Sequence, residues 1–331
     1  MPLISSVVTA VAMACLLAVW VAPIVRAAVP DKIAMGGGNS LSIYVAQNKG
    51  FYAEQNIEVT IPRTASSDEL RDWLAAGRLQ VAAFGVDNAL TMAEKKVADV
   101  AIIMDIEKPP VEVIGQKGMK SVEDIRGKEL VVDSPNTQNA VIMKRILSKH
   151  GLEVDRDYKF KVAGAQPLRL AAVEKDPSLG GTVVSWPELF KLKADGYPAF
   201  GSSVDVVGPM TFQVIFARRD WLAANKGLVV RFLTAQMKAQ RFITDPKNKD
   251  EVIALYAKSR GYTPAVAASA YEGLMSPTGW TRDGEVKPSE LAALMKLRAE
   301  VEGSWGGNPP PPETFIDMSY LHDASKAIDK K

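Results

Sequence analysis

Short apolar segments alternate with amphipathic helical segments over most of the sequence, and this alternation is the feature that most constrains the fold. A first series contains KIAM (32–35), IEVTIP (57–62) and VAAFG (81–85), each followed by a helical pattern. A second series restarts at ELVVD (129–133) and continues through KFKVA and GTVVSW. Strands that alternate with helices form sheets covered by helices. The sequence therefore predicts two successive α/β units.

The order of the segments indicates how the two units are joined. Lys108-Pro109-Pro110 interrupts the alternation, and VEVIGQKG (111–118) reads as an extended segment that returns across a sheet. TFQVIFARRDWL (211–222) predicts a late strand that returns to the first unit, before a run of helices. The chain should therefore cross twice between two lobes. We expect lobe one at 28–118 and 208–331, and lobe two at 119–207.

The first 27 residues differ from the rest of the chain. Val7 to Val25 is almost unbroken apolar sequence, and Arg26-Ala27-Ala28 follows it. Small residues at this position suit cleavage near Ala27, which predicts an export signal at 1–27. The apolar run is also about long enough to span a bilayer, so an uncleaved anchor is the alternative. Both interpretations place the rest of the chain outside the cytoplasmic membrane, and we expect a periplasmic location.

Cysteine and histidine are too scarce for several kinds of active site. Cys15 is the only cysteine and lies in the leader, so the remainder has no disulfide or thiol nucleophile. His150 and His322 are the only histidines and lie far apart in sequence. This disfavours a zinc site or a histidine-based triad. We expect neither a metal nor a cofactor.

Charge and glycine spacing exclude two further classes of protein. The formal net charge is +2, from 40 basic and 38 acidic residues, and no long basic run occurs, so nucleic-acid binding has little support. Gly36 and Gly38 match the first two glycines of a dinucleotide-binding loop, but Leu41 occupies the third position. The sequence contains no phosphate-binding loop with the required spacing and no nucleophile elbow.

The predicted strand-to-helix junctions are rich in small polar residues. In open α/β sheets, ligands bind beyond the carboxyl ends of the strands, where helix N-termini offer free N–H groups. Any one junction could simply be a helix cap, but three per unit indicate a ligand cleft. The six junctions lie at 37–40, 64–67, 85–88, 134–138, 164–166 and 185–187.

The segments YVAQNKGFYAEQNIEVTI (44–61), LAAGRLQVAAFG (74–85), SVEDIRGKELVVDSPNTQN (121–139) and IFARRDWL (215–222) occur in this order. In these segments the sequence resembles the solute-binding proteins of ABC importers, in the branch that contains sulfonate-, taurine- and thiamine-precursor-binding proteins. The resemblance covers nearly all of the chain after the leader. It implies an α/β, type II periplasmic-binding fold, in which two lobes joined by two crossovers close on a ligand in the interlobe cleft.

The resemblance also implies partners and site residues. It implies a monomer that is not an enzyme, and that delivers a small molecule to an ABC permease and its ATPase. Contact with a membrane would come only through that permease or an uncleaved leader. Trp186 would stack on the ligand or pack within the protein. The implied ligand-binding residues are Gly38, Asn39, Ser40, Ser66, Ser67, Asp87, Asn88, Ser134, Asn136, Thr137, Gln138 and Trp186.

The class of ligand stays open at this stage. Converging helix N-termini favour a sulfonate or carboxylate, and Arg63 could add a counter-charge. Asp87 would repel a strong anion, so a neutral or zwitterionic heterocycle, such as a pyrimidine, is the competing ligand. Two other functions remain as alternatives. One is an enzyme on the same fold that acts on a pyrimidine-like substrate, for which Asp87 is the one candidate base. The other is a periplasmic sensor domain.

Overall fold

The computed structural model describes residues 29–329, except 187, 277–278 and 282–283. The predicted leader at 1–27, with Cys15, lies outside these residues. Within the described part of the chain, no helix combines the length and apolar character that crossing a membrane requires.

The described residues form ten strands and fourteen α-helices. The strands are β1 (Asp31–Gly37), β2 (Ile57–Thr60), β3 (Val81–Gly85), β4 (Val100–Glu107), β5 (Val111–Gly115), β6 (Glu129–Val132), β7 (Lys159–Val162), β8 (Gly181–Ser185), β9 (Ala199–Ser202) and β10 (Gln213–Arg218). The helices of the first part of the chain are α1 (Leu41–Asn48), α2 (Phe51–Glu54), α3 (Ser67–Ala75), α4 (Val86–Glu94), α5 (Gln138–Ser148), α6 (Gln166–Lys175) and α7 (Glu188–Ala194). The later helices are α8 (Ser203–Val206), α9 (Arg219–Ala224), α10 (Lys226–Thr244), α11 (Lys249–Arg260), α12 (Pro264–Leu274), α13 (Pro288–Glu302) and α14 (Ser319–Asp329).

The first sheet has the order β2-β1-β3-β10-β4. Strand β1 pairs in parallel with β2 and β3, whereas β10 runs antiparallel between β3 and β4. Strand β10 therefore returns from late in the chain to complete the first sheet, which confirms the predicted return. All eight residues of β4 are buried, because helices cover both faces of this sheet.

The second sheet has the order β7-β6-β8-β5-β9, which repeats the arrangement of the first. Strand β6 pairs in parallel with β7 and β8, and β5 runs antiparallel beside β8. In the first sheet the antiparallel strand β10 lies between β3 and β4, and in the second sheet the antiparallel strand β5 lies between β8 and β9. The short strand β9 was not predicted, because the sequence around Ala199 shows no apolar alternation.

The strand pairing corrects one predicted lobe boundary. We expected lobe one to extend to residue 118, which would place β5 in the first lobe. Instead β5 pairs with β8 and β9, so the chain crosses to lobe two at 108–110. The segment VEVIG was interpreted as returning to a sheet, but its apolar pattern alone does not say which sheet. The return crossing lies between β9 and β10, near the predicted boundary at 207–208.

A buried ion pair lies where the chain first crosses between the lobes. Lys108 Nζ is 2.7 Å from Glu290 Oε2, and the two side chains are only 8% and 10% exposed. Glu290 belongs to α13, the helix that packs on α5 of lobe two. Buried charges are retained where a partner of opposite charge compensates them. The pair therefore fixes the crossing against α13.

Three consecutive glycines end β1, and their role differs from the expected one. Gly38 is one of the residues that the resemblance implies for ligand binding. A Cβ at Gly37 would lie 2.1 Å from the Ala83 carbonyl oxygen, and one at Gly38 would lie 2.9 Å from the Ile61 side chain. Both residues also have positive φ, +87° and +88°. The close approach that requires these glycines is to the neighbouring strand and loop of the protein itself.

We predict that Gly37→Ala lowers the free energy of unfolding by at least ~2 kcal/mol more than Gly50→Ala does. Gly50 is the matched control, since it also has positive φ (+73°) but a Cβ added there would meet no atom within 4 Å. The control should lose only about 1 kcal/mol, the cost of the left-handed backbone. Urea denaturation of both variants measures the difference. Equal losses would show that Gly37 meets no steric restriction.

Candidate functional site

A cavity of about 160 Å³ lies between the carboxyl edges of the two sheets. Residues from both lobes line it, as the positions of the strand ends predict. Lobe one supplies the ends of β3 and β4, the start of α4 and part of α11. Lobe two supplies the ends of β6 and β8 and the starts of α5, α6 and α7. The polar lining residues are Asn39, Ser67, Asp87, Asn88, Glu107, Asp133, Thr137, Gln138, Asn139, Gln166, Arg169, Ser185, Glu188, Gln213, Tyr256 and Arg260.

Asp87 connects the two walls of the cavity. It lies in the first turn of α4, where a negative charge is favoured by the helix dipole. Its Oδ2 accepts a hydrogen bond from the backbone N–H of Gln138, 3.2 Å away, at the start of α5 in lobe two. Burial raises the pKa of Asp87, and the nearby Arg298 guanidinium opposes that rise. The Asp87 carboxylate thus belongs to the first turn of a helix in lobe one and binds the first N–H group of a helix in lobe two.

Two arginines hold this part of lobe one in place. Arg298 Nη1 donates to the Asp87 carbonyl oxygen and to Thr91 Oγ1, both at 3.1 Å. Arg71 Nη1 donates to Asn88 Oδ1 at 2.7 Å, and Asn88 Nδ2 donates to Asp87 Oδ1 at 3.3 Å. Both arginine side chains are almost fully buried. They position Asp87 and Asn88 and do not themselves line the cavity.

Asp133 and Arg169 form the corresponding group in lobe two. Asp133 follows β6 directly, and its Oδ1 accepts a hydrogen bond from Thr137 Oγ1 at 2.8 Å. Arg169 Nη1 lies 3.9 Å from the same oxygen. The Arg169 guanidinium also donates to the carbonyl oxygens of Gly164 and Val183, each at 3.2 Å. This arginine is therefore already engaged by groups of its own lobe.

Glu188 joins the second wall to lobe one. Its Oε2 accepts from Gln166 Nε2 at 2.7 Å, and its Oε1 accepts from the hydroxyl group of Tyr262. Gln166 is fixed in turn, because its Oε1 accepts from the Ser185 N–H at 3.1 Å. Tyr262 follows α11 of lobe one, so this hydrogen bond crosses the cleft.

Trp186 both lines the cavity and packs between the lobes. Its ring stacks on Phe190, with ring centroids 5.5 Å apart. A Cβ at Gly273 in α12 would lie 2.7 Å from the Trp186 ring, so the indole lies directly against lobe one. The two expected roles of Trp186 are thus compatible in this geometry, and its contact with a ligand stays a prediction.

The structure brings seven of the twelve predicted site residues to the cavity. These are Asn39, Ser67, Asp87, Asn88, Thr137, Gln138 and Trp186. They come from both lobes, as expected from the junctions at which they lie. The side-chain oxygen of Gln138 is buried and accepts no hydrogen bond from the described residues. It is available to a ligand.

The other five predicted residues do not line the cavity, because each of them is used by local structure or faces elsewhere. Ser40 and Ser66 cap α1 and α3 by accepting from the N–H groups of Ser42 and Glu69. Gly38 packs against Ile61. Ser134 Oγ donates to Asn136 Oδ1 at 2.8 Å, and Asn136 lines a different cavity, beside α4, α5 and α13. Arg63, the suggested counter-charge, is also absent from the lining.

Sequence reasoning did not select several polar residues that line the cavity. Glu107 and Asp133 end or follow strands, so the junction argument could have found them. Glu188 begins α7 and could also have been found in this way. Tyr256 and Arg260 belong to α11, a helix far from any junction in sequence. Only the packing of α11 against α12 and α1 brings them to the cavity.

The lining limits the chemistry that the cavity can support. Among the described lining residues there is no cysteine or histidine. No group of three or more metal-ligating side chains occurs in the described parts of the chain. Four carboxyl groups line the cavity, from Asp87, Glu107, Asp133 and Glu188, and two guanidinium groups, from Arg169 and Arg260. The site is thus suited to binding by hydrogen bonds and charge.

Comparison with known proteins agrees with this geometry. YtlA of Bacillus subtilis (strain 168), described as a binding protein, is 20% identical over 266 residues, which are 77% of this chain and 78% of that protein. The nitrate-binding protein NrtA of Synechocystis PCC 6803 superposes with a TM-score of 0.68 at 15% identity, over 91% of this chain and 90% of that one. The aliphatic sulphonate-binding protein SsuA of Escherichia coli gives 0.64 at 17% identity, over 87% and 92%. The desulfurization enzyme DszB gives 0.65 at 10% identity, over 90% and 99%.

These likenesses define the class of fold: two α/β lobes around a cleft, as in the periplasmic binding proteins. The predicted fold is thereby confirmed. A family model described as NMT1/THI5 like matches residues 38–249. The chain belongs to this NMT1/THI5-like family, which confirms the resemblance read from its sequence.

We predict that Trp186→Ala weakens ligand binding by roughly 1–3 kcal/mol, because the indole lines the cavity and also supports the contact between the lobes. Asn136→Ala is the matched control. Its side chain belongs to the same series of junctions but faces another cavity, so affinity should not change. Isothermal titration of the two variants with any bound solute measures both effects. A loss in Asn136→Ala with none in Trp186→Ala would contradict this assignment of the site.

Proposed function

We propose that this protein is the exported solute-binding component of an ABC importer, and that it captures a small polar organic solute between its lobes. Support comes from its family, from the two-lobed fold and from the cavity lined by both lobes. Hydrogen bonds cross the cleft at Asp87 and at Glu188. A ligand in the cavity would add contacts to both walls and so favour the closed arrangement.

We further propose that the solute is a hydrogen-bond donor, such as an amino-substituted pyrimidine or a small amine, and not a sulfonate or nitrate. The observation that carries this proposal is that four carboxyl groups but only two guanidinium groups line the cavity. Arg169 already donates to carbonyl oxygens of its own lobe, and Arg260 donates to the Asn39 carbonyl oxygen. An anionic solute would therefore face more acidic than basic side chains, beside two arginines that already donate to carbonyl oxygens of the protein.

The size of the cavity supports a small solute. Its volume of about 160 Å³ is below the ~300–1,000 Å³ that is usual for drug-sized ligands. A single six-membered ring with one or two substituents suits this volume. Trp186 would offer such a ring an aromatic face.

Transport is favoured over catalysis by the composition of the lining. DszB shares the fold and is an enzyme, so the fold does not decide between these functions. Acid–base chemistry in this cavity would depend on its carboxyl groups, three of which already accept hydrogen bonds from protein groups. Mass spectrometry of the solute recovered after incubation tests this choice, and recovery of an altered molecule would favour the enzyme.

We predict that 4-aminopyrimidine, cytosine or a small primary amine raises the melting temperature of the purified protein, whereas methanesulfonate, taurine and nitrate do not. A solute at 100 times its dissociation constant adds about 2.7 kcal/mol to stability, which corresponds to a readable shift. The same screen on Trp186→Ala should show smaller shifts and serves as the control for binding in the cavity. A shift caused by sulfonates or nitrate alone would overturn the proposed class of solute.

A further inference from the structure

Glu107 differs from every other acidic residue in the cavity. It ends β4 and lines the cavity, yet its residue is only 6% exposed. No described residue donates a hydrogen bond to its carboxyl group. A carboxyl group that is largely removed from bulk water and receives no hydrogen bond from the protein is unfavourable, because burial disfavours its charged form.

The other three carboxyl groups are satisfied by the protein. Asp87 accepts from the N–H of Gln138, and Asp133 accepts from Thr137. Glu188 accepts from Gln166 through one oxygen and from Tyr262 through the other. The protein therefore has the means to pair carboxyl groups at this cleft, and Glu107 is the exception.

None of the described charged neighbours of Glu107 donates a hydrogen bond to its carboxyl group. Arg260 in α11 lowers the pKa of Glu107 and Glu188 in α7 raises it, but burial has the largest effect and brings that pKa to about 7. The Arg260 guanidinium donates to the Asn39 carbonyl oxygen. The other ionisable groups facing this region, Tyr256 and Tyr262, have pKa values that burial raises, so both are neutral near pH 7.

We propose that Glu107 is the residue that determines ligand specificity, and that its carboxylate binds a positively charged nitrogen group of the solute, such as an amidinium or a protonated amine. This inference rests on the proposed function of the same cavity and names the charged group that the solute carries. The solute then donates to the Glu107 carboxylate the hydrogen bond that no described residue of the protein donates. A sulfonate or carboxylate at this position would instead face an unpaired carboxylate.

The pairing makes binding depend on pH in a defined direction. A cation binds the ionised form of Glu107, so at pH 7 the carboxyl group must on average release part of a proton when the ligand binds. Affinity therefore rises with pH through the pKa of about 7. For a ligand that stays cationic, the apparent affinity should increase about tenfold from pH 6 to pH 8. Calorimetry in buffers of different ionisation enthalpy measures the released proton.

The experiment uses four probes that share one ring and differ in the head group: benzamidine, benzamide, benzoate and benzenesulfonate. Calorimetric titration, with tryptophan fluorescence as a second readout, gives their affinities for the wild-type protein and for Glu107→Gln. We expect the wild type to bind benzamidine more tightly than the other three. We expect Glu107→Gln to lose at least about tenfold in benzamidine affinity, to change little towards benzamide and to lose the dependence on pH.

Two further measurements separate a role in binding from a role in structure. Without ligand, Glu107→Gln should melt at the same temperature as the wild type or higher at pH 8, because it removes a buried carboxylate to which no described residue donates a hydrogen bond. A lower melting temperature, or failure to fold, would show that the protein itself pairs Glu107 and would overturn the inference. Glu58→Gln, at an exposed carboxylate of β2, is the control and should leave benzamidine affinity unchanged.

The outcomes also distinguish this inference from the proposed function. If benzoate or benzenesulfonate binds in the cavity and benzamidine does not, the protein is still a solute-binding protein and the assignment of Glu107 is wrong. If benzamidine binds equally well to wild type and Glu107→Gln, the assignment is likewise overturned. Absence of benzamidine binding up to ~10 mM overturns it too. If the wider panel of solutes also fails, the proposed function fails with it.

Discussion

The hydrogen bond from the Gln138 N–H to the Asp87 carboxylate is the contact around which the cleft is organised. It joins the first turn of a helix in one lobe to the first turn of a helix in the other. Arg298 Nη1 donates a hydrogen bond to the Asp87 carbonyl oxygen, which holds the backbone of Asp87 in place. Together with the Tyr262–Glu188 hydrogen bond and the packing of Trp186 against α12, this contact determines the separation of the two walls.

The same two-lobed fold carries proteins described as nitrate-binding and sulphonate-binding, and also an enzyme. The fold determines where a ligand lies, whereas the residues at the strand ends determine which ligand is accepted. In this chain those residues include more acids than bases. The charge at the strand ends, and not the architecture, is the basis of the proposal that its solute is not a simple anion.

The fold could be predicted almost entirely from the sequence, because strand and helix periods are local properties. The strand at 213–218 lies within the predicted segment 211–222, and the predicted run of helices follows it. Strand partners are not local, which is why β5 was expected in the wrong lobe. For the site, the junctions led to Asp87 and Gln138, which line the cavity. They also led to Ser40 and Ser66, which cap helices instead, because a helix cap and a ligand donor have the same local sequence. Arg260 was missed because its position depends on packing between distant helices.

The central place of β10 in the first sheet has a consequence for how the chain is made. During synthesis, β3 and β4 emerge long before β10, yet they are neighbours only through it. The first lobe therefore cannot close its sheet until residue 218 has left the ribosome. The second lobe is built from one continuous segment and is complete sooner. From residue 107, where β4 ends, until residue 218, the first sheet lacks the strand that joins its two parts, while the whole of the second lobe is synthesised.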